Sequence, residues 1–125
     1  MMKKNLFLLL ALSFLLALTA CSSKASYEDI NNEAAKKLID DKKVEVIDVR
    51  TPEEYAEGHI PESALLPLQE IETRLSELDK DKSYLLVCRS GNRSSQAAQI
   101  LINNGFTSVY NLKTGMNEWP YDVVK

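Results

Sequence analysis

The sequence has little of several residue types on which common kinds of protein site depend. Its 125 residues include one histidine, two cysteines, and 15 lysines or arginines against 18 acidic residues, so the formal net charge is −3. The lack of a basic excess argues against a nucleic-acid-binding surface. No cluster of histidine, cysteine or acidic residues has ligand spacing, so the sequence predicts no metal site. The length and the 45% of hydrophobic residues are typical of one globular domain.

The long apolar run at the N-terminus is too short for a membrane span. It covers Leu6 to Leu18, thirteen residues, and follows Lys3 and Lys4. As a helix it would reach roughly 20 Å at about 1.5 Å per residue, whereas a bilayer core is about 30 Å thick. A positive start, a short apolar segment and small residues before Cys21 are the layout of a secretory signal.

The segment LTAC, Leu18 to Cys21, resembles the lipobox of bacterial lipoproteins. The resemblance implies a signal peptide at 1–20, lipid on the sulfur of Cys21 in a tether at 21–27, and a folded domain at 28–125. It also implies export and a lipid anchor in a bacterial membrane, on the periplasmic or cell-surface side. The alternative is a plain secretory signal with an incidental cysteine. Removing Lys3 and Lys4 takes the basic residues from 15 to 13 against 18 acidic ones, a net charge of about −5.

If Cys21 carries lipid, Cys88 is the one free thiol of the mature chain. An intrachain disulfide is then excluded. An unpaired thiol in an exported protein is open to oxidation, so we expect it to have a function. The alternative is an inert buried cysteine, which is common in protein cores.

Helical and strand patterns alternate along the rest of the chain. Helices are predicted after the caps Asn31 and Thr51 and over 68–78 and 94–104, and strands over 44–49, 64–66, 83–87 and 108–112. Such alternation predicts an α/β domain with a mainly parallel central sheet and helices on both faces. Sites in these sheets lie beyond the carboxyl ends of the strands. Cys88 directly follows the most apolar strand and therefore occupies that position.

The residues after Cys88 favour a reactive thiolate. Backbone N–H groups of a tight loop and the positive end of the next helix both stabilise negative charge, and Gly91 permits the sharp turn. Arg89 and Arg93 add full positive charges, which lower a thiol pKa and attract an anionic substrate. The remaining loop residues are interpreted as loop and cap architecture with backbone roles: Ser90, Asn92 and Ser94.

Three motifs in order resemble the rhodanese family of sulfurtransferases. They are CRSGNRS from Cys88, DVRTPEEYAEGHIPESALLP from Asp48, and LKTGMNEWP from Leu112. With the elements between them they span roughly residues 27–120. The family often has Gly-Ala where this chain has Glu62 and Ser63, and a second glycine where it has Thr114, so local turn geometry is the point of difference.

The resemblance implies a rhodanese-like fold and a thiosulfate sulfurtransferase-like enzyme. Cys88 would take sulfane sulfur from a donor such as thiosulfate, hold it as a persulfide without a further cofactor, and pass it to cyanide or a thiol. Arg89 and Arg93 would orient the donor, and a thioredoxin-like protein is a possible acceptor. Asp48 and Arg50 would support the site by tying loops together.

Other residues near these motifs are predicted to be structural. His59 is interpreted as part of the fold and not as a general base, because a thiolate held by loop amides needs none. Glu53 and Glu54 are interpreted as first-turn acids of a helix, and Trp119 as core or lid packing.

Two other functions are compatible with the pattern. Phosphatases of the same fold place arginine six positions after the cysteine, whereas Arg93 is five positions after Cys88. The shorter loop favours a sulfur atom over a phosphate with its oxygens. A binding or sulfur-relay module that docks a protein partner is the non-enzyme alternative.

Overall fold

The computed structural model describes residues 25–125, and the predicted signal peptide and Cys21 lie outside this part of the chain. Five parallel strands form one sheet in the order β1-β5-β4-β2-β3. The strands are β1 (Glu28–Ile30), β2 (Glu45–Asp48), β3 (Ala64–Leu65), β4 (Tyr84–Val87) and β5 (Val109–Leu112). No helix within residues 25–125 is both long and apolar enough to cross a bilayer.

Within residues 25–125, three α-helices and three short 3₁₀ helices flank the strands, the last of them after β5. The α-helices are α1 (Asn32–Asp40), α2 (Pro52–Glu57) and α3 (Asn92–Asn103), and the 3₁₀ helices cover Leu68–Glu70, Glu72–Glu77 and Met116–Glu118. Helices α1 and α2 begin where their caps predict, since Asn31 and Thr51 each accept an N–H of the first turn. Strands β2 to β5 lie inside the predicted ranges.

Alternating side chains of the central strands build a core on each face of the sheet. Leu86 points to the face covered by Ala98 and Leu101 of α3, whereas Leu85 and Val87 point to the face covered by α1 and the segment after β5. Because β4 is paired on both edges and covered on both faces, all four of its residues are buried. The predicted parallel α/β fold with helices on both faces is confirmed.

The prediction of an α-helix over 68–78 is wrong. The segment forms two 3₁₀ helices, in which Ile71 N donates to Leu68 O and Leu78 N donates to Leu75 O. Apolar residues three apart lie above one another at three residues per turn, which suits Leu68 with Ile71 and Leu75 with Leu78, whereas the step of four residues from Ile71 to Leu75 falls where one 3₁₀ helix gives way to the next. Ile71 is fully buried and the others are partly buried.

Strand β1 was not predicted. Two of its three residues are exposed acids and only Ile30 is buried, so no apolar alternation marks it. It becomes a strand because it pairs with the edge of β5, with Ile30 opposite Leu112.

Candidate active site

Strand β4 fixes the position of the candidate nucleophile. Cys88 is the next residue after Val87, at the carboxyl end of the central strand, and it is 1% exposed. The loop from Cys88 to the start of α3 at Asn92 then turns around the sulfur. The position of Cys88 beyond the strand end follows directly from the parallel topology.

Hydrogen-bond donors converge on the Cys88 sulfur. The Gly91 amide donates to Sγ over 3.1 Å, and the Ser94 hydroxyl lies 3.2 Å from Sγ. Burial raises the pKa of the Cys88 thiol, but hydrogen bonds from the Ser94 side chain and amide and from the amides of Ser90 and Gly91 outweigh it, so the pKa lies below its usual value. The loop therefore favours the thiolate, which is the nucleophilic form.

The sharp turn of the loop requires glycine at position 91. Gly91 has φ of 94°, a left-handed conformation, and a Cβ there would lie 2.1 Å from the carbonyl oxygen of Lys113. The Gly91 carbonyl accepts a hydrogen bond of 3.3 Å from the buried Asn111 side chain on β5. Strand β5 therefore fixes the turn through this hydrogen bond.

The segment after β5 holds the other side of the loop. Met116 N donates to Cys88 O over 2.9 Å, and Asn117 N donates to Arg89 O over 3.0 Å. Gly115 permits this approach, because a Cβ on it would lie 2.4 Å from Arg89 O. Since these loop carbonyls are held outward by the segment, the loop amides are free to face the sulfur.

Glu54 on α2 joins the two arginines of the loop. Its carboxylate accepts Arg93 Nη1 at 2.8 Å and Nη2 at 2.9 Å, and Arg89 Nε at 3.1 Å. The hydrogen bond from Arg93, together with contributions from Thr51 and Arg89, outweighs burial and holds the Glu54 pKa well below its usual range. Sequence reasoning identified Glu54 as a first-turn acid, and it does form a capping box with Thr51, but its second role depends on a contact across 39 residues.

Asp48 and Arg50 form a buried ion pair beside the loop. Arg50 Nη2 donates to Asp48 Oδ2 over 2.7 Å and to the carbonyl of Gly58 over 2.8 Å. The pair thus ties the end of β2 to the turn after α2. Asp48 is 1% and Arg50 is 6% exposed.

The remaining predicted loop residues have different surroundings. Ser94 is fully buried against the sulfur, whereas Ser90 and Asn92 are not part of the core. Asn92 is the first residue of α3, and its side-chain oxygen accepts a hydrogen bond from Gln96. Arg89 is the most exposed arginine of the site, with 57% of its side chain accessible.

His59 and Trp119 have structural contacts. The His59 ring stacks on Tyr55 at 3.6 Å between centroids, and the His59 backbone pairs in both directions with Val124. Trp119 packs against the core under α1 and edge-on against Tyr121. No group of three or more His, Cys, Asp or Glu side chains within residues 25–125 is arranged to hold a metal ion.

The arrangement can stabilise a negatively charged sulfur at Cys88. Hydrogen-bond donors stabilise the thiolate of Cys88, and the same donors would stabilise the terminal charge of a persulfide on this sulfur. Hydrogen bonds that favour the thiolate reduce the need for a neighbouring base.

Comparison with known proteins supports the same interpretation. The chain is 40% identical over 92 residues to a sulfurtransferase of Allochromatium vinosum, covering 73% of this chain and 86% of that protein. It is 38% identical over 96 residues to the putative sulfur carrier protein YrkF of Bacillus subtilis, covering 76% of this chain but 52% of that protein, so it spans about half the length of this relative.

Solved structures give the same result. A rhodanese-related protein from Thermoplasma volcanium superposes with a TM-score of 0.72 at 34% identity, over 78% of this chain and 98% of that one. The profile of the rhodanese-like domain matches residues 31–121. The chain therefore belongs to the rhodanese-like family, whose members similar to it include sulfurtransferases.

Proposed function

We propose that this protein transfers sulfane sulfur through a persulfide on Cys88. The thiolate attacks the outer sulfur of a donor such as thiosulfate, and sulfite leaves with the electron pair of the broken S–S bond. A thiol or cyanide then takes the outer sulfur and restores the thiolate, with no further cofactor. The observation that carries the proposal is the convergence of the Gly91 amide and the Ser94 hydroxyl on Cys88 Sγ.

The arginines of the loop have separate parts in this proposal. One N–H of each terminal nitrogen of Arg93 donates to Glu54, and its side chain is 31% exposed, so Arg93 is the more constrained of the two arginines. Arg89 bonds Glu54 only through Nε, which leaves its exposed terminal nitrogens to meet the oxygens of an anionic donor. We therefore assign the first donor contact to Arg89 and the fixing of the loop to Arg93.

Mass spectrometry of the intact protein tests the proposal. Treatment with thiosulfate should add about 32 Da, one sulfur atom, to wild type and nothing to Cys88→Ser. Cyanide should then remove the addition and yield thiocyanate. If wild type gains no sulfur and forms no thiocyanate, the sulfurtransferase proposal is wrong.

Sulfur relay to a protein thiol is a second candidate. The relative YrkF is named a putative sulfur carrier protein and extends well beyond the region matched here, which favours protein acceptors for domains of this kind. A thioredoxin-like protein is the acceptor class we propose. Transfer from the loaded protein to reduced thioredoxin, without turnover of cyanide, would favour relay over a free small-molecule enzyme.

We also propose that the mature protein is exported and anchored through lipid on Cys21. The support is the sequence alone: two lysines, a thirteen-residue apolar run, and LTAC, which spans the cleavage point. Expression in bacteria with a radiolabelled fatty acid should label wild type but not Cys21→Ser. Wild-type protein that is found unlabelled in the soluble fraction would contradict the anchor.

A further inference from the structure

A small open cavity adjoins the loop on the side of α2. Its volume is about 270 Å³, and its lining includes Arg50, Glu54, Glu57, Arg89, Met116 and Asn117. This is just below the roughly 300–1,000 Å³ of sites that hold drug-sized molecules. The space therefore suits a molecule the size of an amino acid. The lining contains both arginines and glutamates, and their pairing decides which charges are available to a ligand.

The cationic side of the cavity has unused donors. Arg50 is only 6% exposed. Its Nε and Nη2 donate hydrogen bonds to the Asp48 carboxylate, and Nη2 also donates to the Gly58 carbonyl. Its Nη1 has no hydrogen-bond partner within residues 25–125 and keeps some contact with solvent, and Arg50 lines the cavity. Arg89 adds its exposed terminal nitrogens. Two guanidinium groups thus offer donors to one small space.

The acidic side of the cavity is supplied by Glu57. Glu54 is already engaged by two arginines, whereas Glu57 is exposed and forms no ion pair with the residues described here. Glu57 is the last residue of α2, where the helix dipole disfavours a negative charge. Stabilisation of the helix therefore does not explain an acid at this position. It is the carboxylate available to a ligand.

The charges around the cavity cancel. Two arginines and two glutamates line it, so their formal sum is zero: Arg50, Arg89, Glu54 and Glu57. The cavity therefore differs from a purely cationic anion site. It matches a ligand that carries one charge of each sign.

We propose that this cavity binds a zwitterionic amino-acid thiol, of which L-cysteine is the simplest, as the sulfur acceptor. Its carboxylate would bind Arg89 and Arg50 Nη1, and its ammonium would bind Glu57. This inference rests on the proposed function. In the transfer step the acceptor thiolate attacks the outer sulfur of the Cys88 persulfide, a new S–S bond forms, and the old one breaks. The products are the acceptor persulfide and the Cys88 thiolate, and no external oxidant or reductant takes part.

Discharge of the loaded persulfide by four thiols tests this assignment. L-cysteine carries both charges, cysteamine only the cation, 3-mercaptopropionate only the anion, and 2-mercaptoethanol neither. Single-turnover rates are measured by loss of the sulfur adduct from wild type, Glu57→Gln and Glu53→Gln. Glu53 is the matched control, because it is an exposed acid of the same helix that does not line the cavity. Each thiol is compared with itself between variants, so differences in thiol pKa cancel.

Glu57→Gln should slow discharge by L-cysteine and cysteamine roughly three- to tenfold relative to Glu53→Gln, as expected for loss of one charge-assisted contact. It should not slow 3-mercaptopropionate. Arg89→Gln should show the reverse selectivity, slowing the two carboxylate-bearing thiols. Equal effects on all four thiols, or no difference from Glu53→Gln, would overturn the assignment while leaving the persulfide intact. A wild type that never loads sulfur would instead refute the proposed function itself.

Discussion

Replacing Glu54 by glutamine should test how much one carboxylate contributes to the loop. Glutamine keeps the shape and an acceptor oxygen but removes the charge that binds Arg93 and Arg89 at 2.8 to 3.1 Å. The Glu54 side chain is 14% exposed, so solvent screens it only partly. Hydrogen bonds to a charged group contribute about 1.5–3 kcal/mol, and exposed ion pairs less than about 1 kcal/mol. We expect the free energy of unfolding to fall by about 2 kcal/mol at pH 7.

The contribution of Glu54 to the free energy of unfolding should decrease as the pH falls. The ordinary pKa of Glu54 is 4.5, and its folded-state pKa lies well below that value, mainly because of the hydrogen bond from Arg93. The unfolded state therefore binds the proton first as the pH falls. The contribution of the carboxylate is complete above the unfolded pKa and declines below it by about 1.4 kcal/mol per pH unit. A difference of about 2 kcal/mol would then disappear over roughly 1.5 pH units.

Urea unfolding followed by circular dichroism from pH 7 to pH 3 measures this difference. Glu53→Gln is the control, because it removes an exposed acid from the same helical turn. The two variants should differ clearly at pH 7 and converge toward pH 3. The reasoning is refuted if Glu54→Gln is as stable as Glu53→Gln at neutral pH, or if their difference does not decrease with acid.

Three further substitutions have defined outcomes. Gly91→Ala should abolish persulfide formation, because its Cβ would lie 2.1 Å from Lys113 O at a φ of 94°; the mass assay with thiosulfate checks this, and normal loading would contradict the role of the turn. Ser94→Ala removes the hydroxyl 3.2 Å from Cys88 Sγ, so the Cys88 pKa should rise, because the thiolate loses a hydrogen bond with a net contribution of about 1 kcal/mol. The pH at which the rate of alkylation by iodoacetamide rises should then be higher than in wild type. An unshifted dependence of this rate on pH would exclude the hydroxyl as a donor to the thiolate. Glu62→Gly should raise the urea midpoint of unfolding slightly, because Glu62 has a left-handed φ of 67° and glycine relieves about 1 kcal/mol of backbone strain. The greater freedom of glycine in the unfolded chain offsets part of this gain. A lower midpoint would show that the Glu62 side chain stabilises the turn.

The left-handed backbone at Glu62 explains why glycine is favoured at this position of the family pattern. The sequence comparison identified Glu62 as a residue where the family often has glycine, and the left-handed backbone at this position is one that glycine adopts without strain. Thr114, the other departure, donates its hydroxyl to the Asn32 side chain over 3.1 Å. The side chain of Asn32 in turn donates to Glu118 O over 2.6 Å. This chain therefore fixes the segment beside the loop through contacts that a glycine at 114 could not make.

The sequence by itself determined the alternation of elements, the caps of α1 and α2, and the place of Cys88 beyond a buried strand. These features are local, since they depend on apolar spacing, capping residues and glycine within a few positions.

The tertiary structure decided the rest. Glu54 meets Arg93 across 39 residues, Gly115 packs against Arg89, and β1 exists because β5 offers it an edge. No pattern within one segment reports such contacts, because each partner alone resembles an ordinary surface acid, a turn glycine or a polar tether. Only the fold brings them to one side of the sulfur.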